Sequence, residues 1–428
     1  MTLALLKGWG SKYWGNGHLA RCGSGDVISD SNGRDARCPS FLRTAHNGRD
    51  ARCPSFQGLV PTGGTPVAPV LRGLLLPLAF ATALMTAAGA SAGEIVISGE
   101  RTVAEPIVLE SNMTLVLRDA HLTVAKGKFT NVFRADGVTN VTIVGEGRAI
   151  VDGGEYNGLG EKTAGKNGLP PVWNNNLLLF TNVRGFRVEN VRFRRQGWWA
   201  LNFIGCSQGV IRNLDFLADH TAVDKDGTVS DTIDHSRYGD IRVKNADGVD
   251  IRCGCHDILI ENITGFTEDD TVALTAIPGR LERTFLPDGV PQEIRNITVR
   301  NVRSAAFCSN VRLLAQGGAR LCDVLVDGVE DTSDGRTYFT GRGEAGVNLG
   351  DSHLYGSRQP TADEMRDIVI RNVRSRAGRG VSLRGVTGAV RVENVEGFDG
   401  CPKAFSDERT EVGKRPVEML ELPRKETK

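Results

Sequence analysis

The residues of this chain best suited to chemistry are aspartates. Asp247 sits in Asn245-Ala246-Asp247-Gly248-Val249-Asp250, and 22 residues later come Asp269 and Asp270, in Glu268-Asp269-Asp270-Thr271-Val272-Ala273-Leu274. Between them runs Asp257-Ile258-Leu259-Ile260-Glu261-Asn262-Ile263, which alternates as a strand does. If 22 residues make one coil of a stacked repeat, the carboxylates fall on neighbouring rungs, about 4.8 Å apart. Carboxyls held that close cannot all ionise freely, so one pKa rises and that member can act as an acid. A protonated carboxyl working with an ionised one is what cleavage of a glycosidic bond requires.

The elements that must position these groups follow from a repeated phrase, x-[IV]-x-[IV]-x-N-[IV]. Its turn position falls at Asn190, Asn213, Asn262, Asn301, Gly328, Asn372 and Asn394. The spacings are 23, 49, 39, 27, 44 and 22, so the longer ones hold two coils or an insertion. Short strands at this period, without a helical stripe, indicate a parallel β-solenoid, whose coils bury their apolar faces only by stacking. Asparagine suits a fixed turn because it tolerates left-handed backbone. Asn-x-Thr triplets at Asn112, Asn140, Asn262 and Asn296 fall inside this phrase and read as structure rather than as glycan acceptors. Strict alternation would put Asp247 on the face of Val243 and Val249, so a turn near Asn245–Gly248 must reset the phase. Insertions at Asp152–Trp173, Leu217–Gly239, Pro278–Pro291 and Asp331–Glu364 should project as loops. Asp250 reads more readily as a turn aspartate than as part of the site.

The charge balance, 52 basic against 51 acidic residues, gives no support for a nucleic-acid partner. Aromatics are 6% and glycines number 52, which suits many short strands and turns. Cys253-Gly-Cys255 lacks the spacing of a zinc site, and cysteines filling a solenoid core are as good a reading as disulfides.

The two-part aspartate motif resembles the polygalacturonase family, glycoside hydrolase family 28, which carries N-T-D-G-I-D and, one coil later, G-D-D-C-I-A-I. In general layout the resemblance covers residues 94 to 400. It includes Gln196-Gly197-Trp198-Trp199-Ala200-Leu201-Asn202, which is similar to the family's Trp-containing strand. It implies an all-β chain, a single-stranded right-handed parallel β-helix of the pectin-lyase type. It also implies inverting hydrolysis of a polysaccharide or oligosaccharide, without metal or organic cofactor. Carried over, Asp269 matches the general acid, and Asp247 and Asp270 match the pair that positions and deprotonates water. An inverting site leaves about 6.5–9.5 Å between acid and base for that water. Asn245, Trp199, Asn202, His256 and Arg242 are the candidates for holding substrate. On a strand, adjacent Trp198 and Trp199 would point opposite ways, one packing inside and the other free to stack on a sugar.

The chain departs from the family in two places. The family has G-H-G one coil after the paired aspartates, where this chain has Phe307-Cys308-Ser309-Asn310. The family's later R-I-K binds the substrate carboxylate, and the best counterpart here, Val347-Asn348-Leu349-Gly350, has neither base. A neutral or differently charged sugar then fits more easily than galacturonate. His220, His235 and His256 flank the aspartates as replacements for the histidine, and Arg242 and Lys244 are candidates for meeting an acidic sugar. Two other readings stay open on the same fold. One is a lyase or epimerase, which would want a calcium cluster or a strong base beside the acids. The other is a glycan-binding β-helix without turnover.

By organisation, residues 1–69 read as a non-native or disordered leader. They carry a duplicated decapeptide, NGRDARCPSF, at Asn32–Phe41 and Asn47–Phe56. Residues 70–92 read as a signal peptide: Arg72, an apolar run from Leu74 to Ala90, then Ala90-Ser91-Ala92. Residues 93–400 are the β-helix and 401–428 a charged tail. The expectation is an exported monomer, periplasmic, extracellular or at the cell surface, with no stable membrane insertion once the leader is cleaved. N-terminal sequencing of the exported protein should begin at or near Gly93; a mature chain still carrying Arg34 or Arg49 would refute this.

Overall fold

A computed structural model describes residues 93–409 and 417–420. The decapeptide repeat and the apolar run Leu74–Ala90 lie outside the described residues. No helix among the described residues is long and apolar enough to cross a membrane. The chain forms a right-handed parallel β-helix. A long sheet of 13 strands and a shorter one of 10 strands are parallel throughout, each strand pairing with its counterpart on the coils above and below.

The repeat phrase supplies the strands of the long sheet, and the asparagine bends each of them. In His256–Thr267 the side chains of Ile258 and Ile260 face the core, then Asn262 takes φ 57° and Ile263 resumes inward, one residue out of phase. The same left-handed geometry recurs at Asn190, Asn213, Asn301, Asn372 and Asn394, with Gly328 at φ 85°. The side-chain amides stack into a ladder. Asn213 donates to Asn190 at 2.9 Å, Asn262 to Asn213 at 2.9 Å, and Asn301 to Asn262 at 3.1 Å. Asn112–Asn140 and Asp257–Asn296 form similar contacts at a second corner. Each amide thus answers its neighbour's polar groups while the backbone turns, which makes the position specific for asparagine.

The short sheet carries the site. Its inward rows are aliphatic and continuous: Val249, Val272, Val311, Val347 and Val381 in one, Ile251, Leu274, Leu313, Leu349 and Leu383 in the next, all fully buried. One outward row reads Asn202, Asp250, Ala273, Arg312, Asn348 and Ser382.

The insertions hold more structure than loops. Residues 278–291 contain the α-helix Arg280–Phe285, and short 3₁₀ turns occupy Lys166–Gly168, Val172–Asn175 and His235–Arg237. The stretch expected as one insertion at Asp331–Glu364 is two, because Ala345–Leu349 is a strand of the short sheet between them. Its first part meets the insertion after Leu217: Ile233–Asp234 pairs in parallel with Phe339–Thr340 over a small apolar core that includes Phe266, Phe307 and Phe339. The solenoid also continues past residue 400. Lys403–Arg409 pairs with Arg379–Gly385, and Val417–Leu420 with the strand Val390–Gly397, where a charged tail was expected. Charge outweighs hydrophobicity in that stretch, but its backbone completes the sheet edges.

The ladder makes a stability prediction. Asn262→Ala removes two amide contacts and places an ordinary residue at positive φ, so it should cost about 1–2 kcal/mol. Asn262→Gly loses the same contacts without the backbone strain and should cost less. Urea unfolding of both variants checks the order; equal losses would show that the left-handed turn is not what asparagine serves.

Candidate active site

The aspartates arrive on neighbouring rungs. Gly248 N–H donates to the Asp270 carbonyl at 3.0 Å and Val249 N–H to Thr271 at 2.9 Å, so Asp247 lies beside Asp270 just before paired strands Val249–Arg252 and Val272–Ala276. Asp270 N–H donates to Asp247 Oδ1 at 3.3 Å, and Asp270 Oδ1 accepts from Ser309 N–H at 2.9 Å. The phase reset falls in an irregular segment, with Asn245 at φ 57°. Asp247 and Asp269 keep 5% and 8% exposure and Asp270 is half-buried, so the carboxyls open narrowly rather than broadly to solvent.

A fourth carboxyl joins them. Asp250 is not a turn aspartate: it lies in the strand, 1% exposed, with Oδ2 unpartnered. Burial, and then the charges of Asp250, Asp269 and Asp270, raises Asp247 well above the usual carboxylate range. Burial likewise raises Asp250 well above it against the opposing charge of Arg252. For Asp270, burial and Asp269 outweigh Arg312 and the Ser309 hydrogen bond. Asp269 is pushed up to about 7, by burial first, with Cys308 and Arg312 pulling down against Glu268 and Glu344. Each member of the cluster therefore holds its proton to higher pH than an isolated carboxyl does, Asp269 to about 7, which is the condition for a carboxyl to act as an acid near neutrality.

Asn245 holds Asp269 rather than standing open. Both indole N–H groups of Trp198 and Trp199 donate to its amide oxygen at 2.9 Å, and its NH2 donates to Asp269 Oδ2 at 2.6 Å. Indoles only donate, so they fix which way the amide faces. The tryptophans do not point opposite ways. Their rings stack at 3.9 Å and 16°, because both precede the strand Leu201–Ile204 and alternation does not govern them. Both are buried, and the Arg252 guanidinium lies 4.6 Å from the Trp199 ring centre. Asn202 is fully buried and donates to Asn176 at 3.1 Å, so it faces a neighbouring rung and not solvent.

The remaining candidates divide. His256 lies on the long sheet, away from the short sheet that carries the aspartates, its Nδ1 2.7 Å from Asp257 Oδ2. Arg242 is exposed and donates to the Lys225 carbonyl at 2.6 Å. Lys244 is not available to an acidic sugar. Its ammonium is buried, donating to the Asp219 carbonyl at 2.9 Å and lying 3.4 Å from Asp219 Oδ2 and 4.0 Å from Glu268 Oε2. His235 packs on Phe307 and its pKa is lowered, chiefly by burial, while exposed His220 edges Tyr338. Cys308 stands where the resemblance had a histidine; its backbone N–H donates to the Asp269 carbonyl at 3.4 Å, and its thiol lies 3.8 Å from the Tyr238 hydroxyl.

Sequence reasoning passed over Arg312. It follows Val311 in a fully buried strand, Ser309–Ala315, and its charge acts on Asp269 and Asp270. Its place in the outward row, one coil after Ala273, was the only signal that could have found it. Among the described residues, no group of histidine, cysteine and carboxylate side chains is arranged to hold a metal ion.

No family model matches the chain, and no curated protein matches it. Solved structures similar to it include an exopolygalacturonase from Thermotoga maritima, at 18% identity over 71% of this chain and 76% of that one, TM-score 0.42. An endo-xylogalacturonan hydrolase from Aspergillus tubingensis is 15% identical over 77% and 87%, TM-score 0.44. A tailspike protein of E. coli bacteriophage HK620, in complex with pentasaccharide, is 13% identical over 78% and 59%, TM-score 0.47.

Raised carboxyl pKa values carry a stability consequence. Burial pushes Glu268, like Asp269, up to about 7. Such a group binds its proton more tightly folded than unfolded, so its contribution is fully present below about pH 4 and is lost as pH rises through about 7. Asp269→Asn and Glu268→Gln should therefore each unfold at a higher temperature relative to wild type at about pH 8 than at about pH 5. Thermal unfolding of wild type and variants across that range checks it. Taking the difference cancels His235, whose lowered pKa acts in the opposite sense. A pH-independent difference would show that neither carboxyl is perturbed.

Proposed function

We propose that this chain hydrolyses glycosidic bonds in a polysaccharide or oligosaccharide by an inverting mechanism. The observation that carries the reading is the placement of Asp247 beside Asp270 on adjacent rungs, with Asp269 next in the chain and held by Asn245. Asp269 gives its proton to the leaving oxygen as the bond from that oxygen to the anomeric carbon breaks. Asp247 and Asp270 hold a water on the opposite side, and one of them takes its proton as the oxygen bonds to carbon. One proton thus crosses the site per turnover and returns through solvent. Asn245, with Trp198 and Trp199 behind it, acts by orienting Asp269. Export under the apolar leader belongs to the same proposal, as does action as a monomer.

The narrow exposure of Asp247 and Asp269 favours a second reading, a β-helix that binds glycan without cleaving it. A reducing-sugar screen across plant, algal and bacterial polysaccharides separates the two. Under the hydrolase reading wild type releases sugar, and Asp269→Asn loses at least about a hundredfold in kcat, as expected when an acid is removed. Because Asp269 must be protonated and titrates at about 7, kcat should fall as pH rises above that value. Equal release by wild type and variant rejects the assignment. Product absorbing in the ultraviolet, from an unsaturated sugar, would indicate a lyase instead.

A further inference from the structure

The buried cations around the aspartates each have a carboxylate of their own. Arg312 Nη2 lies 2.5 Å from Asp351 Oδ2, and both side chains are about nine-tenths buried. Arg252 Nε lies 3.0 Å from Glu282 Oε1, again buried. Arg384 pairs with Glu344, and Lys244 is held by Asp219 and Glu268 as above. The four aspartates come in addition to these pairs. Arg312 is the single cation of its outward row, whose next members, Asn348 and Ser382, are neutral. Asp351 is fixed in its turn: Oδ1 accepts from His353 N–H at 2.9 Å, and Oδ2 accepts from the Tyr355 hydroxyl at 3.3 Å. That same segment presents Tyr355 and Leu354 to solvent, 42% and 47% exposed, with the His353 ring edge-on to Tyr355 at 4.7 Å.

From this arrangement we infer that the site takes a neutral sugar and rejects uronates, and that Asp351 sets the choice by holding Arg312. The inference rests on the reading of the aspartate cluster as a glycosidase site and names its substrate class. A sugar carboxylate placed beside the aspartates adds a further acid to a crowded, buried cluster whose neighbouring buried cations, Arg312, Arg252 and Lys244, are already paired, and like charges brought together in a partly buried site are costly. A neutral ring meets an exposed aromatic face and hydrogen-bonding groups, which suit its apolar faces and hydroxyls. Asp351 is a specificity residue in this account, acting through Arg312.

The test is binding, followed by calorimetric titration with neutral and uronic oligosaccharides of equal length. Wild type should prefer the neutral ligand by about tenfold or more, and its weak affinity for the uronate should rise with added salt, since salt screens repulsion. Asp351→Asn keeps an acceptor for His353 N–H, turns an NH2 donor toward the Tyr355 hydroxyl oxygen, and frees the Arg312 charge. It should gain about tenfold for the uronate, with that gain now lost as salt is added, and change little for the neutral ligand. If the variant does not fold, the wild-type salt dependence decides alone. Uronate binding in wild type that equals neutral binding, or weakens with salt, overturns the inference, as does an unchanged preference in folded Asp351→Asn or failure of both ligands to bind. Turnover of uronates alone would overturn it and leave the hydrolase reading standing. Neutral binding without turnover of any sugar would reject the hydrolase reading and leave the preference intact.

Discussion

The site depends on register. In a parallel solenoid each coil adds one strand at a fixed step of about 4.8 Å, so two residues meet if they hold the same position in successive coils. What keeps that position constant is the left-handed turn in the long sheet, where the amides of Asn190, Asn213, Asn262 and Asn301 bond from coil to coil. A slip of one residue would turn Val249 and Val272 out of the core and bring the wrong residues to Asp247 and Asp270. The asparagine ladder lies on a different face from the aspartates, yet it sets the phase on which their meeting relies.

This explains which parts of the molecule were legible in sequence. The ladder asparagines and the 22-residue interval between Asp247 and Asp269 are local and periodic, and both have direct structural counterparts. The phase reset at Asn245 could be anticipated because alternation failed there. The rest was set by contacts that no periodicity encodes. Trp198 and Trp199 lie outside a strand, so the alternation rule had no bearing on them. Arg312 sits in an apolar strand in which every residue is buried, and it reads as an interruption until the coil before it is known. The pairing of Ile233–Asp234 with Phe339–Thr340 joins insertions more than a hundred residues apart, each of two paired residues.

Electrostatics gives the cluster its character. Burying charge without a partner is expensive, and such groups shift their pKa and stay neutral instead. Here two solutions stand side by side. Lys244, Arg252 and Arg312 are buried with carboxylate partners. Asp247, Asp250, Asp269 and Asp270 are left without dedicated cations and resist ionisation, burial being the largest cause. The first arrangement is structural, and within it Glu268 beside Lys244 is the carboxyl pushed up to about 7. The second stores protons where they can be given up, at the expense of stability as pH rises.

Asp250 shows how far this goes. Its Oδ2 is buried without a partner, and the paired position on the preceding coil holds Asn202, whose amide oxygen is also buried and unpartnered. Two adjacent acceptors without a donor make a poor arrangement when Asp250 is ionised. Burial, and after it the charges of Asp270 and Asp269 against the pull of Arg252, raises the Asp250 pKa, and a proton on Asp250 adds a donor among these acceptors. A protonated Asp250 adds no charge beside Asp247, so Asp247 can ionise more readily than it could beside a second carboxylate.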